Sequence, residues 1–253
     1  MTDFTPWISK YGLVTMKNGD AGDAPMKSGF YYLGMYNNTC DAVTRAQLRS
    51  AYDKALATIS TGPGQYCRYP EPGGSTPPWT DPKDFSRDQT LPTMVACGLM
   101  GLTGRLQLFG PAFIQNYSRA QNGDPIGPAM WAVYWRLRGW WWLWPLMCLF
   151  DLETLVNSVV QCFKGLNYDN VGDDQNHCLT LFVQKTNMPT PTSWLARKIY
   201  VWFRRGYYLS DNLPLPTWEV KGWVWAWQWY WRPETGAPPM PDLWIPLLNA
   251  ALS

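Results

Sequence analysis

An all-α fold in a single domain with long loops is predicted for this 253-residue chain by three features of its sequence. Apolar residues recur at helical spacing along most of the chain, and the periodic stretches open on capping residues. The breaks between them are rich in Gly and Pro, and strand-like alternation is almost absent. With 46% apolar and only 16% charged residues, there is enough material for one core and too little charge for disorder.

The elements follow in order. Ser28 to Asn38 comes after an acidic, glycine-containing turn and reads as a first helix. Thr44 to Ser60 is amphipathic, with Leu48, Ala51, Tyr52, Ala55, Leu56 and Ile59 on one stripe. From Thr61 to Phe85 the chain is so rich in Gly and Pro that no regular structure is expected, and a loop of this length in a compact domain points to a covering role over a site. Ser86-Arg87-Asp88-Gln89 has the Ser-x-x-Gln form of a capping box and opens a helix to about Leu102. Gly104 to Tyr117 follows, then a polar turn from Arg119 to Pro125.

Further along, Pro128 to Leu137 is a short helix and Trp140 to Lys164 a long, mostly buried one. After the loop 165–172, Asp173-Asp174 caps a helix that carries His177 and Leu181, and Pro191-Thr192-Ser193 begins another. Residues 206–253 form a Trp- and Pro-rich C-terminal region. Within it the five tryptophans of Trp223 to Trp231 alternate at period two, but length and neighbours favour a helix. A terminal helix spans Pro241 to Ala251, giving nine or ten helices within one domain, 1–253.

Composition excludes several functions. The net charge is +2 with no basic stripe, which argues against nucleic acid as a partner. The N-terminus lacks the basic start and apolar run of a secretory signal, so a cytoplasmic protein, or one carried in a virion or released by lysis, is expected. The longest apolar run, Trp140 to Phe150, is broken by Pro145 and falls short of the roughly 20 residues of a membrane span. Cys40, Cys67, Cys97, Cys148, Cys162 and Cys178 show no CxxC pair and read as reduced, mostly buried residues. GxSxG, Walker and GxGxxG signatures are absent.

Four polar motifs sit at junctions between loops and helices, where backbone N–H groups favour anions and hydroxyl-rich ligands. They are Asn18-Gly19-Asp20-Ala21-Gly22-Asp23, Ser86 to Gln89, Gln121-Asn122-Gly123-Asp124, and Gly172 to His177. Each alone reads as an ordinary cap, but capping needs only one or two of the polar side chains in each. If alternate helix starts lie at one end of a ring of hairpins, the motifs share a rim.

Paired carboxylates at such a rim suit glycoside hydrolysis, with one protonating the leaving oxygen and the other activating water or attacking the sugar. Asp88 and Asp174 are the first choice for that pair and Asp23 the third, with His177, the only histidine, in an orienting role. Arg68, Arg87, Gln89, Asn122, Asp124, Asp173, Asn176, Trp79 and Tyr32 are candidate substrate-binding groups. Tyr66, Tyr69 and Trp131 are further aromatic candidates, although Trp131 reads better as core. One histidine and dispersed cysteines do not make a zinc site. No cofactor is required; calcium or magnesium on Asp20, Asp23 or the Asp173-Asp174 pair is the only ion whose oxygen chemistry fits.

This arrangement of acids at helix starts resembles the (α/α) toroid enzymes, the six-hairpin glycosidases and related polysaccharide lyases, over the span from Asp23 to Arg205. The resemblance implies a ring of helical hairpins, here incomplete because there are too few helices. FSRDQ (Phe85 to Gln89), DDQNH (Asp173 to His177) and PTPTSWLARKIY (Pro189 to Tyr200) are also similar to stretches of uncharacterised proteins encoded by phages and bacteria. Two functions are therefore expected. One is a glycoside hydrolase or polysaccharide lyase acting on a bacterial surface or related polysaccharide. The other is a non-enzymatic phage or virion-associated protein that binds a partner through a Trp-rich surface in its C-terminal region, the Trp223 to Trp231 face.

Overall fold

The computed structural model describes residues 7–15, 21–71, 80–164, 183, 190–196 and 198–199. Of the described residues 66% are helical and strands are few, as an all-α chain requires. The described residues fall into two compact units that meet in sequence between Ile126 and Gly127.

The first unit opens with α1 (Ala24–Asn38). It begins earlier than its apolar pattern suggests, because Pro25 sits in the first turn, where a missing N–H costs nothing. α2 (Ala42–Ile59) starts at Asp41, whose carboxylate accepts from the Val43 and Thr44 N–H groups. Arg45 ties the two helices together by donating from Nε to the Tyr36 and Thr39 carbonyls, which the end of α1 leaves without helical partners. Tyr52, Ala55, Leu56 and Ile59 are buried, as their stripe predicts.

The stretch after α2 is more regular than its composition suggests. β1 (Ser60–Gly62) and β2 (Gln65–Tyr66) form a small antiparallel hairpin. Its turn depends on Gly64, which has φ +69° and lies so close to the Leu108 carbonyl that a Cβ would collide with it. A 3-10 turn, Pro82–Asp84, then leads into α3 (Arg87–Leu99).

α3 is the centre of this unit, buried continuously from Gln89 to Cys97. α1 packs on it, and Gly29 lets the two backbones lie close together: a Cβ there would stand 3.0 Å from the Pro92 carbonyl oxygen. α4 (Thr103–Gln115) closes over the other side, with Arg105 Nε 2.6 Å from Asp53 Oδ1 on α2. Inside, Tyr66 stacks on Phe109 and Tyr32 lies against Tyr52. Burial pushes the Tyr32 phenol up to about 12.

The second unit contains α5 (Pro128–Leu137), a 3-10 turn (Trp141–Leu143), α6 (Trp144–Lys164) and helical residues at 191–196. α5 begins at Gly127, where the absence of a side chain leaves room for Glu153 of α6 to accept from the Ala129 N–H at 2.7 Å. Arg136 and Asp151 form a bidentate ion pair buried between the two helices. Thr190 donates its hydroxyl to the same carboxylate and accepts from the Ser193 N–H, so it caps the helix at 191–196 while anchoring it to α6.

α6 departs from the expectation of a mostly buried helix. Its inward side carries Met147, Asp151 and Thr154. Among residues 141–156 the exposed ones are Trp141, Trp142, Pro145, Leu146, Leu149, Leu152 and Val156, all apolar. Trp141 is 69% and Trp142 65% exposed. The reason is geometric: the ion pair and the Glu153 bond fix which side of α6 meets α5, and that side contains the polar residues. Pro145, read as a break in the run, instead lies in the first turn of α6.

No described helix is long and apolar enough to cross a membrane. Cys40 is exposed, Cys67 and Cys97 are buried and Cys148 is half-buried, all as free thiols. Cys162 and Cys178 lie outside the described side chains.

Candidate functional site

Three of the four polar motifs gather around the first turn of α3. Ser86 is the N-cap, but its side chain makes no capping bond and the expected box does not form. Gln89 turns outward from its own helix start. Its Oε1 accepts from the Met26 N–H at 3.0 Å and its Nε2 donates to Asp23 Oδ1 at 3.1 Å. A side chain of α3 thereby satisfies the free N–H of a different helix, α1.

The third motif supplies the missing cap. Asp124 Oδ2 accepts from the Arg87 N–H at 3.4 Å and from Asn122 Nδ2 at 2.8 Å, and Asn122 Oδ1 accepts from the Asp124 N–H. The Arg119–Pro125 turn holds this pair against the helix start, with the Asn122 N–H donating to the Phe85 carbonyl. Gln121 points the other way. Its amide accepts from the Tyr66 N–H and donates to the Tyr66 and Pro82 carbonyls, each at 2.8 Å.

Arg68 completes the cluster. It donates from Nε to the Asp84 carbonyl at 2.6 Å and from Nη1 to the Gly22 carbonyl at 2.9 Å, with Asp23 Oδ1 at 3.7 Å. Its guanidinium braces two loops, so the expected role in gripping a ligand gives way to a positioning one. Asp88 stands at the outer edge with its carboxylate 38% exposed and 3.8 Å from Arg87 Nε. Asn122 is exposed, and Asp23 and Asp124 are half-exposed.

Several proposed binding groups are structural. Tyr32 is buried and donates its hydroxyl to the Gly12 carbonyl at 2.9 Å. Tyr66 and Tyr69 are buried and offer no platform, while Trp131 packs against Tyr134 and Trp135 as a core residue would. Asp20, Trp79, Asp173, Asp174, Asn176 and His177 lie outside the described residues. Among the described residues no group of three or more His, Cys, Asp or Glu is placed to hold a metal ion.

Sequence reasoning overlooked Arg136, Asp151, Glu153 and Thr190. The available signal was a pair of acids inside an otherwise apolar helix, because charges in such a helix need partners when it packs.

Comparison of the chain with protein-family models, with curated proteins and with solved structures finds no match.

Proposed function

We propose that this chain is a carbohydrate-active enzyme, a glycoside hydrolase or polysaccharide lyase acting on a bacterial surface or related polysaccharide. Its sugar-facing groups would stand around the first turn of α3. The observation that supports this is the gathering of Asp23, Asp88, Asn122 and Asp124 at one helix start, although they come from three separate stretches of chain. Carboxylates and amides braced by other polar groups are the chemistry that holds and activates sugar hydroxyls. Asp88 takes the base or nucleophile role, because Asp23 and Asp124 already hold helix starts together. Arg87 and Asn122 supply donors to the substrate. The packing of α1 on α3, alternate helices in sequence, is what a ring of hairpins repeats, and we infer an incomplete toroid on that ground.

The test is a panel of bacterial polysaccharides assayed for new reducing ends and for unsaturated products. Asp88→Asn should lower turnover about 100-fold or more with an unchanged Tm. Full activity in that variant removes the assignment.

A second reading is favoured by a different observation: among the described side chains of 141–156, every exposed one is apolar. A non-enzymatic, virion-associated protein would use such a face, with its two tryptophans, as a partner anchor. Stoichiometric association with virions that is lost in Leu149→Asp would support it.

A further inference from the structure

The rotation of α6 is fixed by bonds to three partners. Asp151 is held by Arg136 and Thr190, and Glu153 by the Ala129 N–H. The helix cannot turn its apolar side inward without breaking a buried ion pair, so Trp141, Trp142, Pro145, Leu146, Leu149, Leu152 and Val156 need a cover from outside the α5–α6 pair. Two indoles and four aliphatic side chains make a patch on the order of several hundred Å², at or above the largest that a soluble monomer usually leaves open.

The chain has a cover in reach. Described residues end at Ile199, on the stretch that Thr190 anchors to α6 itself. Trp194 and Leu195, on the same stretch, are exposed as well. Residues 200–253 follow, with eight of the 17 tryptophans. From Ile199 to Trp223 the chain can extend roughly 80 Å, more than three times the roughly 24 Å length of helix from Trp141 to Val156. Trp223, Trp225, Trp227 and Trp229 alternate with Val224, Ala226 and Gln228, so the run carries no charge to desolvate.

Other occupants fit less well. A stable homodimer uses about 20–30 residues a side, far more than the seven on this stripe. Helices that lie on lipid carry Lys or Arg along their polar side, whereas residues 141–156 contain only Asp151 and Glu153 as charges.

We propose that the apolar stripe from Trp141 to Val156 is the seat of the chain's own C-terminal segment, with Trp223–Trp229 laid along α6. This stands apart from the enzymatic reading and decides whether the stripe is available to the second one.

Hydroxyl-radical footprinting of the full chain, native against urea-unfolded, tests it. Tyr117 of the first unit, 90% exposed, is the uncovered reference. Trp141 and Trp142 should be protected about tenfold or more beyond Tyr117, at all protein concentrations and with the chain monomeric by light scattering. Replacing Trp223, Trp225, Trp227 and Trp229 by Ser should bring their protection down to that of Tyr117. Should that variant fail to fold, Leu149→Asp is the reciprocal probe and should raise modification of Trp223–Trp229. Native protection no greater than that of Tyr117 overturns the proposal. So does protection that grows with protein concentration, which assigns the stripe to a second copy, or protection only on phosphatidylcholine–phosphatidylglycerol vesicles, which assigns it to lipid.

Discussion

α2 and α6 are the two longest described helices, with 18 and 21 residues, and they bury different kinds of side chain. α2 buries Tyr52, Ala55, Leu56 and Ile59 and exposes Gln47, Arg49, Ser50 and Lys54. Among its described side chains α6 buries Met147, Asp151 and Thr154 and exposes Leu146, Leu149, Leu152 and Val156. The contrast separates two ways of orienting a helix. α2 is turned by the hydrophobic effect, which acts on the whole stripe and scales with buried area. α6 is turned by a few directional bonds between charged groups, which fix one angle whatever the rest of the surface prefers.

The largest expected effect follows from that difference. Asp151→Ala leaves the Arg136 charge buried without its partner and should destabilise the second unit by about 3–5 kcal/mol, measured by urea unfolding. Replacing both, as Arg136→Met with Asp151→Leu, should recover most of the loss. Recovery identifies the ion pair as an orienting device more than a stabilising one, and no recovery ties the unit's stability to the pair itself.

The next effect compares one leucine from each helix. Leu56→Ala in α2 empties a fully buried site and should cost about 2–5 kcal/mol. Leu149, 56% exposed on the described structure, should respond within about 0.5 kcal/mol to Leu149→Ala if its stripe is open. A cost of about 1.5 kcal/mol or more, of the size expected for a covered aliphatic side chain, would place α6 alongside α2 in having its apolar side packed.

The smallest effect sharpens the α2 side. The Thr44 hydroxyl, followed by the Thr44 and Val43 N–H groups, holds the Asp41 carboxyl below the ordinary carboxylate value of 3.8. A carboxyl lowered in the folded state contributes stability that is present above its unfolded value and lost as pH falls through the folded one. The Tm difference between the parent chain and Asp41→Ala should therefore be greatest near neutrality and shrink below about pH 4. A pH-independent difference would mean that the cap acts by shape and not by charge.

How much of this was legible in the sequence depends on how local each feature is. α5 was read with the bounds it has, because Gly127-Pro128 and Leu137-Arg138-Gly139 mark its ends within the segment. The stripe of α2 was legible because period and burial coincide there. The role of Gln89 was not: its competing partner, the Met26 N–H, lies 63 residues away, and no local pattern reveals that a distant helix start has come within reach. The outward turn of α6 was hidden for a related reason. An apolar run states that a helix wants cover, while the side it presents was decided by Arg136, fifteen residues before Asp151. For the candidate site, helix-start chemistry pointed to a shared rim for the four motifs, but the meeting of three of them at α3, and which carboxylates are absorbed as braces, required the tertiary contacts.

Gln121 carries one more consequence. A two-stranded hairpin normally leaves an outer row of backbone donors and acceptors that a strand from another molecule can extend. By engaging both the N–H and the carbonyl of Tyr66, the Gln121 amide stands where the backbone of an added strand would bind, and a single side chain closes the outer edge of β2 to intermolecular pairing.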